Sequence, residues 1–223
     1  MNLKNRKYLL FILTVIGCIQ SLILTTIAMF FYPGGTFDNP NTAKYSFWRN
    51  LFSDLGRTIA YSGKSNLISF LIYNISLFLL GLLLIPYFIG MFYYFQEAEI
   101  GKGFIKAGSI LGIPIAVSFI GASLTPADLY YKMHVTFGFI AFTLTLPVII
   151  LYTIGILHYK NYPNLYAYVY IILAAMLFIF LIIMSFTSTE DKLMIVFAAG
   201  QNIIVYAITI CFFLQAFGAL KIV

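Results

Sequence analysis

Asp54, Asp128 and His134 are the side chains of this sequence best suited to chemistry. Two carboxylates and an imidazole, brought together, can act as an acid–base pair or as ligands to a metal ion. A catalytic zinc as a rule takes three protein ligands. Only one histidine falls on this side of the chain, His158 lying at the other end of its helix, so no metal and no cofactor is expected. Each acid also has a plain structural use. Thr125-Pro126-Ala127-Asp128 has the form of a helix start, with threonine as cap, proline at the first position and an acid at the third. Thr187 with Glu190, or Ser188 with Asp191, fits the same scheme, and Asp54 is spaced for a local ion pair with Arg49 or Arg57. No catalytic residue is therefore assigned, and the three remain candidates.

Two further sets surround them. Asn74, Gln201 and Asn202 are amides inside apolar stretches, about three helical turns in from the same side, with Gln20 a weaker member. Such groups either bond helix to helix or form the floor of a ligand cavity. Trp48, Arg49, Asn50, Ser53 and Arg57 flank Asp54 in a long polar-aromatic stretch and complete the candidate ligand-binding residues.

The elements that position these residues are membrane helices. Of 223 residues, 62% are hydrophobic and 9% charged, with a mean hydropathy of +0.97. A soluble domain carries about 25% charged residues. The charges leave six free windows, at 8–37, 65–96, 107–127, 133–159, 161–189 and 193–220. Each is long enough for one crossing, which takes ~20 apolar residues. The ~10-residue alternation of a membrane barrel is absent. The expectation is an all-α, polytopic six-helix bundle forming one domain over 1–223, with helices at 8–32, 66–95, 107–124, 133–157, 165–186 and 192–219 and a surface loop at 33–65. The first window is expected to stay as a helix rather than be cleaved as a signal, because its apolar run continues to Phe31.

The loop is too aromatic for disorder and too long for a plain connection. Phe47, Trp48, Leu51, Phe52 and Leu55 share one side of a helix over 46–56, with Ser46 as cap and Gly56 as stop. An amphipathic helix on the membrane surface, covering the mouth of the bundle, is the expectation. Gly108, Gly112 and Ala116 form a small-residue row that admits a neighbouring backbone.

With six crossings, the termini share one side with 96–106 and 158–164, and the long loop shares the other with 125–132 and 187–191. Seven basic residues fall on the terminal side against six on the loop side, three of the seven just before the first helix. That weighting places the termini in the cytoplasm and the long loop outside. The net charge of +6 comes from residues scattered at helix ends, without the basic stripe of a nucleic-acid-binding protein. Cys18 and Cys211 form no redox or metal motif. No span has a charged residue at its centre, which disfavours ion-coupled transport.

Tyr45-Ser46-Phe47, Asn50-Leu51-Phe52-Ser53-Asp54-Leu55-Gly56 and Asn66 at the head of the second helix resemble a family of prokaryotic six-helix membrane proteins catalogued as domain of unknown function 998. More distantly they are similar to the FRAG/DRAM/Sfk group, which has an Ile-Ser-Asp-x-Gly turn in its first extracytoplasmic loop where this chain has Phe52 in place of isoleucine. The resemblance implies six helices and a role among lipids, and it implies no active site. The leading expectation is a non-enzymatic protein that binds a membrane lipid or a membrane partner at its outer face. The alternatives are an enzyme acting on lipid headgroups through Asp54, Asp128 and His134, and a structural subunit of a larger membrane complex.

Overall fold

The structure, a computed structural model, describes residues 3–187 and 193–222. Six α-helices follow the expected windows: α1 (Leu3–Phe31), α2 (Leu67–Tyr94), α3 (Lys102–Ser123), α4 (Tyr131–Leu157), α5 (Leu165–Phe186) and α6 (Leu193–Ile222). α1 and α3 begin a turn or more before the charge-free windows and so include Arg6 and Lys7, and Lys102 and Lys106. Long basic side chains allow this, since their stems lie along apolar surface while the charged ends reach the headgroup layer. Pro86, Pro114 and Pro147 all sit within continuous helices. All six helices are long and apolar enough to cross a membrane, the build of a multi-pass integral membrane protein.

Consecutive helices pack against one another and α6 returns onto α1, so the bundle closes as a ring. The half of the ring near the termini is filled by aromatic side chains. Tyr87, Phe88, Tyr152, Tyr170 and Phe212 are fully buried, with Tyr87 5.2 Å from Phe212 and 6.0 Å from Tyr152 between ring centres. Their hydroxyls pair internally, Tyr87 with Tyr170 and Tyr152 with Ser109, which removes the cost of burying them. Gly108 and Gly112 make room for these rings. A Cβ would lie 2.9 Å from Tyr152 at the first and 2.1 Å from Phe88 at the second. The close backbone approach expected of that row occurs one step further along, where the Ala116 carbonyl would be 2.6 Å from a Cβ on Gly81 of α2.

The half near the loop is closed by the loop itself. Phe52 and Leu55 are buried, Phe52 packing 5.3 Å from Tyr73 and 5.9 Å from Tyr206. The continuous helix expected over 46–56 does not form. A turn at Ser46–Asn50 leads into one 3-10 turn at Phe52–Gly56. Side chains have taken the backbone groups that such a helix would have paired. Asn202 donates to the carbonyls of Phe47 (3.0 Å) and Asn50 (2.7 Å), while the Leu51 amide donates to Asp54 (2.9 Å). Nor does Gly56 act as a left-handed stop. It lies against Tyr73, whose ring would be 2.7 Å from a Cβ there. Gly34 and Gly35 do need positive φ, at 96° and 85°, to fold the start of the loop back on itself.

Candidate functional site: a latched lid over an apolar groove

The loop is held down at three points. Asn202 of α6, fully buried, receives the Tyr45 hydroxyl at 2.7 Å besides making its two bonds to the loop. Asn66 donates to the carbonyls of Leu55 (3.1 Å) and Arg57 (2.8 Å). Asp128, in the turn between α3 and α4, accepts the Thr58 hydroxyl at 2.6 Å and the Thr58 and Ile59 amides at 3.0 Å. Partial burial acts to raise the Asp128 pKa, and these donors outweigh it, holding the carboxyl below its ordinary range. Asp128 is thus an ionised latch.

Beneath the lid, a cavity of about 560 Å³ lies between α4, α5 and α6. Its walls are apolar, chiefly Phe139, Phe142, Leu181, Met184 and Phe197, and its lid end carries Ser53, Asp54, Arg57, His134 and Gln201. The size falls within the ~300–1,000 Å³ usual for ligand sites. A smaller recess of about 40 Å³ continues inward, sharing Ser53, His134 and Gln201 with the main groove.

Each polar group at the lid end has bonding capacity left over. Asp54 receives Asn50 Nδ2 (3.1 Å) and the Leu51 amide (2.9 Å) on Oδ2, while Oδ1 has no donor among the described residues. Burial pushes its carboxyl up to about 6, offset in part by the Asn50 bond, the Arg57 charge and the Leu51 amide. His134 Nδ1 lies 2.8 Å from the Thr125 carbonyl. A carbonyl only accepts, so Nδ1 carries the hydrogen and Nε2 is left as the nitrogen free to meet a ligand. Gln201 Oε1 is buried with no partner among the described residues. Arg57 donates from Nε to the Ile59 carbonyl (3.2 Å) and stacks 4.2 Å from the Tyr61 ring, with no carboxylate in ion-pair range among the described residues.

Of the sequence candidates, Ser53, Asp54, Arg57, His134 and Gln201 meet at the groove. The others are placed elsewhere. Trp48 is 62% exposed on the outside of the lid, edge-on to Phe47. Arg49 pairs with Asp38 at 2.6 Å on the surface, which replaces the ion pair expected for Asp54. Asn50 and Asn202 are buried within the lid and its anchor, and Asn74 bonds back to Phe70 of its own helix at 2.9 Å. Gln20 bonds across to the Ser76 carbonyl at 3.0 Å, an interhelical link.

Of the expected convergence of Asp54, Asp128 and His134, Asp54 and His134 share the groove and Asp128 does not join them. Asp128 is occupied by the lid, and no carboxylate is hydrogen-bonded to His134 among the described residues. The proposed helix start at Thr125–Asp128 is also overturned. α4 begins at Tyr131, and the Thr125 hydroxyl donates back to Gly121 at 2.8 Å. The Thr187 hydroxyl likewise bonds back to Ile183 at 2.7 Å, while Ser188, Glu190 and Asp191 lie outside the described residues. Among the described residues no three His, Cys, Asp or Glu side chains gather as metal ligands would.

Tyr45, Thr58 and Tyr61 do structural work that the candidate residues did not include. Tyr45 and Thr58 pair with residues 157 and 70 positions away, so local spacing carries no signal for either. Comparison with family models, with curated proteins and with solved structures gives no match to this chain.

Proposed function

We propose that this protein binds a membrane lipid in the groove between α4, α5 and α6, with the headgroup under the lid and the chains along the apolar walls. The observation carrying this reading is a cavity with apolar walls and a polar end, situated where the bundle meets its covering loop. Phe139 lines it and is still 55% exposed on the outside of the bundle, so the groove is continuous with the lipid-facing surface. Binding is favoured over turnover because Asp128 is saturated by lid donors and His134 has no carboxylate partner among the described residues. In this reading the lid faces away from the cytoplasm, supported by Lys4, Arg6 and Lys7 ahead of the first crossing. The resemblance of the Tyr45–Gly56 segment to six-helix proteins found among lipids points the same way.

Gly138 supplies the test. It lines the groove, and a Cβ added there meets nothing within 4 Å. Gly138→Leu would therefore start its side chain in open space at the groove lining, and replacing a helical glycine stabilises by about 1 kcal/mol. The expected outcome is a melting temperature equal to or above wild type together with loss of co-purifying lipid in native mass spectrometry. Undiminished lipid in a folded Gly138→Leu protein would refute the assignment.

A further inference from the structure

Resting on that reading, we infer that a lipid enters the groove sideways from the bilayer, between α4 and α5, while the lid stays latched. The ligand is then a resident of the lid-side leaflet, not an amphiphile arriving from water. Four groove-lining residues are exposed, and all lie on these two helices: Tyr131, Val135 and Phe139 on α4 and Ser185 on α5. The five that the lid contributes, Leu51, Ser53, Asp54, Arg57 and Tyr61, are half-buried or buried, as are those of α6. Among the described residues the groove is thus open toward lipid and covered toward water.

Connectivity accounts for the opening. α5 and α6 follow directly on one another at the lid end, so their ends are tied, whereas α4 and α5 are joined only at the far end, by residues 158–164. α4 and α5 meet where Phe142 packs 5.0 Å from Phe180, which stacks in turn 5.5 Å from Phe197 of α6. Lidward of Phe180, α5 has no buried residue, and the buried row at Leu173, Leu177 and Phe180 continues to Met184, which lines the groove. The same three rings end the groove. Phe142 lies about 16 Å along α4 from Tyr131, close to half of the ~30 Å hydrocarbon core. Beyond it the fully buried Tyr152 and Tyr170 fill the bundle, so a chain reaches the middle of the bilayer and stops. Lifting the lid is the costlier route. It breaks the bonds to Asp128, Asn66 and Asn202 and exposes Phe52 and Leu55 to water, whereas sideways entry leaves all of these in place.

The full-length protein with Trp48→Phe and Leu181→Trp carries one tryptophan, on the groove wall, and supplies the test. It is reconstituted in vesicles of equal parts phosphatidylcholine and phosphatidylglycerol. Cyclodextrin then delivers chain-brominated forms of both lipids, and quenching of the tryptophan is followed in time. Asp128→Ala removes a latch, so entry past the lid would be about tenfold faster in that variant. The expected result is an onset no faster in Asp128→Ala and severalfold slower in Val135→Phe/Ser185→Phe, which narrows the opening from both sides. Both positions are exposed, and should the pair fail to fold, Val135→Phe alone supplies this arm. A faster onset in Asp128→Ala, or an onset that the narrowing leaves unchanged, overturns sideways entry and leaves the lipid site standing. Quenching that survives Gly138→Leu comes from outside the bundle and overturns it too. Absence of quenching even in vesicles made from brominated lipid at the outset overturns both readings.

Discussion

Asp54 is the residue whose environment and apparent task are most at odds. It is buried, it anchors the start of the 3-10 turn, and its pKa is raised from an ordinary 3.8 to about 6. A raised carboxyl pKa means that the folded state binds the proton more tightly than the unfolded state does. Stability attributable to Asp54 is thus greatest below about pH 4 and declines as pH rises to about 6, above which the full cost of a buried charge applies. Asp54→Asn removes that charge and keeps an acceptor for the Leu51 amide. Its melting temperature should exceed wild type at pH 7.5, with the gap closing between pH 6 and pH 4. A gap that stays constant across that interval would show that Asp54 does not titrate there. Sequence alone singled out this acid but not its state, because burial comes from Tyr45, Tyr73 and the lid backbone, all remote from any local pattern. The adjacent pair Gln201 and Asn202 illustrates the same limit. Neighbours on a helix point about 100° apart, so one faces the groove and the other the lid, and only packing decides which.

At the scale of elements, the lid behaves as a latched plug. Its latches are side chains on the turn between α3 and α4, on α6 and at the head of α2. Asp128→Ala removes the charged acceptor of the Thr58 and Ile59 donors, and Asn202→Ala removes the anchor for the Phe47 and Asn50 carbonyls. Each loss costs about 1–3 kcal/mol of lid closure. Trypsin cleavage at the exposed Lys64 should therefore rise about tenfold or more in either variant. An unchanged cleavage rate would mean that the lid is held by Phe52 and Leu55 alone. Apolar spacing over 46–56 pointed to a buried face and was right for Phe52 and Leu55, yet the helix it implied is absent. Helical periodicity reports which residues are apolar; it cannot report that Asn202 claims two of the carbonyls a helix would have used.

For the whole molecule, charge distribution made the six helices legible, because crossing a bilayer demands apolar length and little else. Ring closure between α6 and α1 was not legible, since no spacing rule links the two ends of a chain. Placement of the lid on the same side as the α3–α4 turn followed from the count of crossings and is required by the bond between Thr58 and Asp128. Cys18 and Cys211 are buried and should resist a membrane-impermeant maleimide in the native protein. Cysteines introduced at Trp48 and Leu129, both exposed, should label from one side of sealed vesicles, and a cysteine at Ile100 from the other. Labelling of positions 48 and 129 from opposite sides would dismantle the bundle as described.

The most direct measurement of the central claim is a cryo-EM map of the protein in lipid nanodiscs. A bound lipid predicts elongated density along Phe139 and Leu181, ending in a headgroup feature beside Arg57 and Gln201 under a closed lid. A groove that is empty, or filled by the protein's own side chains, at a resolution where the lipids around the bundle are visible, would contradict it.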